Sequence, residues 1–424
     1  MFSLIAAKYD LKGKNIMKHI DIADIIKSQD FVDKEVTVCG WVRTSRNSKS
    51  VAFIELNDGT SLKNIQVVVE KGDSDYKEPR VGMSLKVTGK AVAGRNNTVE
   101  INAVPENITI LGDAPTDYPL QKKGHTLEFL RTIPHLRGRT NTFNAVWRVR
   151  SILASAIHEY FQSHNYVYIN TPLITGSDCE GAGEMFQVTT IGYSNEYKSE
   201  EDYYANDFFG KRAGLSVSGQ LEGEMAARAM GKIYTFGPSF RAENSNTPKH
   251  LAEFWHIEPE VAFMELDDVI ELAEDMLKFV IGKLLKTCPD EIAFFDAHFE
   301  KGLKARLEEL ISHDFGRVTY TEAIELLKKS GEDFVYPVEW GCDLQTEHER
   351  YLSEKVFKKA VFVTDYPKEI KSFYMKQNPD GKTVAAVDLL VPGVGEIIGG
   401  SEREYDLEKL LAAMKERNMN LDLY

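Results

Sequence analysis

Apolar and polar residues alternate in five short runs near the start of the chain: 36–42 (VTVCGWV), 51–56 (VAFIEL), 64–69 (NIQVVV), 84–92 (SLKVTGKAV) and 99–103 (VEINA). A period of two sends successive side chains to opposite faces, so each run is predicted to be a half-buried strand. Asn57-Asp58-Gly59 punctuates them as a turn. Five such strands in a segment this short predict a small closed barrel, with the strand count of the oligonucleotide-binding (OB) fold. Residues 113–143 carry Pro115, Pro119 and Pro134 and no clear period, which reads as a hinge between a domain over 17–112 and a second over 144–424. There the pattern changes. Val149, Ile152, Leu153, Ala156, Ile157 and Phe161 recur at helical spacing. Residues 166–171 (YVYINT) then alternate as a strand that stops at Pro172, which lacks a ladder donor. Residues 265–342 are again helical in pattern and read as an insertion, and 193–207 form a polar, acidic insert.

Composition fits this two-domain reading. The chain has 424 residues, 43% hydrophobic and 27% charged, enough for large cores without disulfide or metal staples. Cys39, Cys179, Cys288 and Cys342 are far apart with no CxxC pair, which argues against a zinc ribbon and fits reduced thiols in the cytoplasm. No apolar run approaches the roughly eighteen residues of a membrane span. Residues 1–16 read as a dispensable extension, with Met17 as an alternative start. The net charge of −14 speaks against nucleic acid until it is divided. Residues 17–112 hold 13 basic and 13 acidic groups, and 122–150 hold seven Lys or Arg against Glu128 alone. Such a stretch is either a solvated face or a track for a phosphate backbone.

Candidate chemistry concentrates in a few places. Arg43, Arg46, Lys49, Phe53 and Gln66 interleave basic, aromatic and amide groups on the first strands, a set able to stack on and hydrogen-bond unpaired bases. Phe53 alone would more often be core, and Gln66 alone a solvated strand residue. Residues 240–254 (FRAENSNTPKHLAEF) lie between two strand-like runs, 232–236 and 255–260, and predict a hairpin with Arg241 and Glu243 on one face.

That hairpin resembles motif 2 of class II aminoacyl-tRNA synthetases, an fRxE strand, a loop, and a returning strand. The resemblance extends over nearly the whole chain after residue 17. The helix and strand ending at Pro172 resemble motif 1, the dimer element, and 175–186 (TGSDCEGAGEMF) a mobile loop of the aspartyl/asparaginyl subgroup. Residues 216–224 (SVSGQLEGE) resemble its amino-acid-binding strand and 387–403 its metal-binding and side-chain strand. Aspartyl enzymes carry a Lys where Gly223 stands here, followed by Glu224; an acceptor carboxylate suits a neutral amide, so the chain resembles asparaginyl-tRNA synthetases most.

The resemblance implies an α+β chain, an OB-fold anticodon-binding barrel followed by a class II catalytic domain on an antiparallel sheet. It implies ATP as substrate, Mg²⁺ as cofactor, asparagine and tRNA-Asn as partners, and a homodimer through the segment around Pro172. Arg241 would contact the α-phosphate and substrate carboxylate, Phe254 would stack on adenine, Glu243 would bind its amino group, and His250 would approach the distal phosphates. Asp388 and Glu396 would hold Mg²⁺. Glu180 and Gln220 would bind the substrate ammonium, with Ser218 lining the pocket. Arg403 would take the side-chain amide oxygen and Glu224 the amide nitrogen. Arg46, Phe53 and Gln66 match barrel positions that contact the anticodon.

One family element is missing from the sequence. A GxGxxR-like motif 3 does not follow Arg403; a helical pattern over 407–417 does, and the chain stops at Tyr424. The resemblance therefore implies weak or no adenylate formation by residues 1–424, an expectation that robust asparagine-dependent ATP–pyrophosphate exchange would refute. The competing readings are an aspartyl enzyme, an asparagine synthetase of the same fold, and a catalytically dead RNA-binding relative. Intact Arg241, Asp388 and Glu396 weigh against the last.

Overall fold

The structure, a computed structural model, describes residues 19–72, 76–95, 98–179, 185–192, 197–244, 250–419 and 421. The chain forms two compact units. One comprises Met1–Ile152 with Cys288–Lys301, and the other Leu153–Thr287 with Gly302–Tyr424.

The first unit opens with α1 (Ile22–Lys27), followed by β1 (Glu35–Asn47), β2 (Val51–Asn57), β3 (Ile65–Glu70), β4 (Ser84–Ala93), β5 (Val99–Ala103) and β6 (Ile108–Gly112). The order β1-β2-β3-β5-β4, closed by a β1–β4 pairing, makes the predicted five-stranded barrel. Every second residue turns inward, and Val36, Val38, Ile54, Leu56, Val67, Leu85 and Ile101 fill the core together with Ile22 and Ile25 of α1. A Cβ at Gly89 would stand 2.3 Å from the Asn102 carbonyl, so only glycine permits the close crossing of β4 and β5. The sixth strand, β6, adds to β4 and exposes most of its residues, which is why its weak alternation was not legible. The proline-rich stretch read as linker contains α2 (Leu127–Thr132) and α3 (Pro134–Arg137). These are too short to show a period. The helix predicted around Val149 is α4 (Asn141–Ser163), within which the division between units falls.

In the second unit the strand expected at 166–171 is brief: β7 (Val167–Tyr168) pairs in parallel with a later strand. After β8 (Ile174–Thr175), α5 (Glu200–Ala205) and β9 (Gly214–Leu215) come α6 (Gln220–Met230), β10 (Lys232–Phe240) and β11 (Glu253–Val261). The sheet order is β11-β10-β7. Phe161 of α4 stacks on Tyr234 of β10 with ring centroids 4.6 Å apart, at the centre of a core shared with Ala156, Tyr160 and Phe236.

The stretch predicted as helical insertion holds α7 (Leu266–Thr287), α8 (Pro289–His298), α9 (Leu303–Ser312) and α10 (Tyr320–Lys329), and also a strand, β12 (Gly316–Thr319). Of these, α8 belongs to the first unit. The helix α11 (Thr346–Arg350) leads to β13 (Val361–Pro367), β14 (Thr383–Val391) and β15 (Gly395–Ser401), then to α12 (Leu407–Glu416). The sheet β12-β13-β14-β15 is antiparallel except for the parallel β12–β13 pair. Both faces of β13 and β14 are covered. Val361, Val363, Val384, Ala386 and Leu390 pack with α10, and Phe362, Val387, Leu389 and Val391 pack with α7. Every residue of β14 is buried, and Asp388 is its one charged residue.

Candidate active site

A strand with apolar neighbours on both faces does not bury a carboxylate without partners. Asp388 Oδ2 accepts from Lys371 Nζ at 2.6 Å, and the buried Tyr366 hydroxyl donates to the same carboxyl. Burial first, and Asp388 next, drive the Tyr366 pKa well above its ordinary value. The antiparallel register sets Asp388 opposite Gly399, and a bulge beside Leu389 and Leu390 re-aims Glu396. A Cβ at Gly399 would meet Glu396 Oε1 at 3.2 Å and Asp388 Oδ1 at 3.4 Å. Two carboxylates therefore converge on a position only a side-chain-free residue leaves open. Among the described residues no cluster of three or more His, Cys, Asp or Glu has metal-binding geometry. The donor set fits a hard cation that takes one or two carboxylates and completes its shell with phosphate oxygens and water.

The second cluster is built by α6, β11 and the chain after β15. Residues 216–224 were expected as a strand, but Gln220–Met230 is helical. Ser218 Oγ accepts from the Gln220 backbone N–H at 3.1 Å near the helix start, and the segment is rich in helix-forming Leu, Glu, Met and Ala. Helical spacing puts Gln220 and Glu224 on one face. Gln220 Nε2 donates to Glu224 Oε1 at 2.9 Å, and Arg403 Nε donates to the same oxygen at 2.8 Å. Arg403 Nη2 reaches Glu260 of β11 at 3.1 and 3.3 Å, and its guanidinium lies 5.0 Å from the Tyr374 ring centroid. Burial works against the Arg403 charge, but Glu260 and Glu224 more than offset it and raise its pKa. Burial pushes the Glu260 carboxyl up to about 7 despite Arg403.

Sequence reasoning missed Glu260 and its strand neighbour Glu258. Glu258 accepts from Ser218 Oγ, from the Gly219 backbone N–H at 3.1 Å and from Thr235 Oγ1 at 2.7 Å. The signal was present: 256–260 (HIEPE) puts two acids on one face of a strand entering the hairpin.

At the hairpin, β10 ends at Phe240, so the alternation expected to align Arg241 with Glu243 stops short and Glu243 is exposed. The Arg241 backbone N–H donates to the Ala252 carbonyl at 3.1 Å, and its guanidinium carbon lies 5.4 Å from the Phe254 ring centroid. Arg241 thus covers one face of that ring. His250 is exposed at the return of the loop. Glu180 and residues 245–249 lie outside the described residues.

In the barrel, Arg46 pairs with Phe53 across β1 and β2, and Gln66 pairs with Glu55, two residues along from Phe53. The register puts Arg46, Phe53 and Gln66 on one outward face. Phe53 is 39% exposed, so the core reading of that ring fails. Of the seven cations in 122–150, three have inward partners. Arg137 stacks on Phe143 and Arg139 on Trp41, while Arg148 bonds Glu291 at 2.7 Å. Lys122, Lys123, Arg131 and Arg150 are exposed.

Two family models match the chain. Residues 127–423 match tRNA synthetases class II (D, K and N), and residues 36–111 match the OB-fold nucleic acid binding domain. An asparagine–tRNA ligase of Clostridium kluyveri is 54% identical over 403 residues, 94% of this chain and 87% of that protein. One from Clostridium tetani is 53% identical over 411 residues, 95% of this chain and 89% of that protein. A crystal structure of asparaginyl-tRNA synthetase from Pyrococcus horikoshii, complexed with asparaginyl-adenylate, superposes with a TM-score of 0.80 at 29% identity, covering 96% of this chain and 89% of that one.

Proposed function

Because the chain belongs to the class II tRNA synthetases of the D, K and N group, we propose that the two clusters carry out asparagine–tRNA ligation with the division of labour that follows. In the first step the carboxylate of asparagine attacks the α-phosphorus of ATP, and pyrophosphate leaves. In the second a terminal ribose hydroxyl of tRNA-Asn attacks the acyl carbon, and AMP leaves. Carboxylate and triphosphate repel, so the site must neutralise charge and align the attack.

Arg241 bridges the substrate carboxylate and the α-phosphate, since a guanidinium binds oxyanions bidentately and stays charged. Adenine stacks on the Phe254 face that Arg241 leaves uncovered, Glu243 accepts from its amino group, and His250 approaches the distal phosphates. Asp388 and Glu396 would hold Mg²⁺, which would supply positive charge against the triphosphate, and the side-chain-free Gly399 leaves the two carboxylates uncrowded. Glu180 and Gln220 receive the α-ammonium group, and Ser218 lines the pocket.

The observation that carries the asparagine reading is the Glu224–Arg403 bond at 2.8 Å. It sets the Glu224 acceptor beside the Arg403 guanidinium, whose Nη1 donates to Ser401 and whose Nη2 donates to Glu260; a carboxamide oxygen takes the place of one of those acceptors. Among the described residues both partners of Glu224 use Oε1, which leaves Oε2 for the amide N–H. Glu260 holds Arg403 from the other side, at 3.1 Å, and so fixes the guanidinium beside Glu224.

Arg46, Phe53 and Gln66 bind unpaired anticodon bases by charge, stacking and hydrogen bonds. The chain pairs with a second copy through the segment around Pro172, where Val167, Leu173 and Ile174 are at least 40% exposed. It works in the cytoplasm, in keeping with four free cysteines. No helix among the described residues is long and apolar enough to cross a membrane.

Calorimetric titration with a non-hydrolysable asparaginyl-adenylate analogue tests the reading. The wild type binds, and Arg241→Ala and Arg403→Ala each lose about 100-fold in affinity. Unchanged binding in both folded variants overturns it.

A further inference from the structure

Lys371 has no part in the division of labour above, yet it touches the carboxylate assigned to the metal. It is not a loose surface cation. Arg417 Nη2, just past α12, donates to the Lys371 carbonyl at 2.7 Å and to the Lys368 carbonyl at 2.9 Å, which fixes the backbone. The ammonium group is fixed too, 2.6 Å from Asp388 Oδ2 and 4.0 Å from the Tyr366 ring centroid. Its side chain is 19% exposed and that of Asp388 9%. The two oxygens of Asp388 face different ways. Oδ2 meets Lys371, while Oδ1 and Glu396 Oε1 converge on Gly399.

A compact ammonium on one oxygen of a buried carboxylate stabilises that carboxylate and repels a second cation approaching the other oxygen. We propose that Lys371 is the internal counter-ion of the Asp388–Glu396 pair, neutralising Asp388 before metal arrives and opposing a divalent cation that comes without nucleotide. The inference rests on the reading of Asp388 and Glu396 as the metal-holding pair. Nucleotide phosphates bring the negative charge that offsets Lys371. Metal loading is therefore coupled to ATP, and the protein alone binds the cation weakly. A charge-removing substitution at Lys371 strengthens metal binding most when nucleotide is absent.

The test is a titration of the nucleotide-free protein with Mn²⁺, followed by electron paramagnetic resonance and by competition with Mg²⁺. Folding of each variant is checked by circular dichroism. Lys371→Met and Lys371→Gln remove the charge by different routes, and each is expected to bind Mn²⁺ about tenfold tighter or more. Lys371→Arg keeps the charge and stays near wild type. With ATP present the gain of Lys371→Met shrinks. Equal or weaker Mn²⁺ binding by both neutral variants overturns the counter-ion role. Asp388→Asn separates the two claims: it should lose Mn²⁺ affinity. Wild-type affinity in Asp388→Asn overturns the metal-site reading and the inference with it. Loss in Asp388→Asn without gain in the Lys371 variants overturns the inference alone.

Discussion

Glu260 holds its carboxylate 3.1 Å from Arg403 inside the unit, and burial raises its pKa to about 7. In an unfolded chain a Glu ionises near about 4.3. Between those values the fold retains a proton that the unfolded chain has released. The stability contributed by Glu260 is therefore full below the ordinary Glu range and lost as pH rises through about 7. Thermal melts across this window should show the wild-type Tm falling more steeply with rising pH than that of Glu260→Gln, which cannot ionise. Parallel slopes would contradict the assignment. At this scale the sequence exposed the residues proposed to face substrate, Gln220, Glu224, Arg241 and Arg403, because a family motif marks them. It hid Glu258, Glu260 and Lys371, whose importance lies in what they touch across the fold. No local spacing links Lys371 to Asp388, 17 residues on.

Between residue and molecule stands the β14–β15 hairpin. Its register sets Gly399 against Asp388, and its bulge turns Glu396 toward the same point. Gly399→Ala adds a methyl group 3.2 Å from Glu396 Oε1 and 3.4 Å from Asp388 Oδ1, so one carboxylate must give way. The expected result is a drop of about tenfold in Mn²⁺ affinity with ATP present, with the circular dichroism spectrum unchanged. Undiminished affinity would show that the two carboxylates do not meet there. Elements with strong periods were legible: β1 to β5, α4 and α7 all appear where alternation or helical spacing put them. Those that were not legible are short or take their identity from neighbours. β12 has four residues and exists by pairing with β13, and β6 by pairing with β4. Residues 216–224 were misread as a strand because the Ser, Val and Gly of 216–219 carry no helical period, while the helix begins only at Gln220.

Over the whole molecule, the formal charge of −14 conceals a neutral barrel and an exposed group of cations after it. Lys122 and Lys123 are exposed, whereas Arg137, Arg139 and Arg148 have internal partners. If the exposed cations neutralise tRNA phosphates, binding weakens with salt, and the double variant Lys122→Ala, Lys123→Ala lowers the log–log salt slope by up to about 2. Filter binding over a salt series measures this, and an unchanged slope assigns those lysines to solvent. Selection of asparagine falls, in the proposed mechanism, to Glu224 and Arg403, which together read a carboxamide. Calorimetry on the wild-type chain with the non-hydrolysable asparaginyl- and aspartyl-adenylate analogues measures that selection. The asparaginyl analogue is expected to bind at least about 100-fold tighter. Equal affinities, or a preference for the aspartyl analogue, would contradict it.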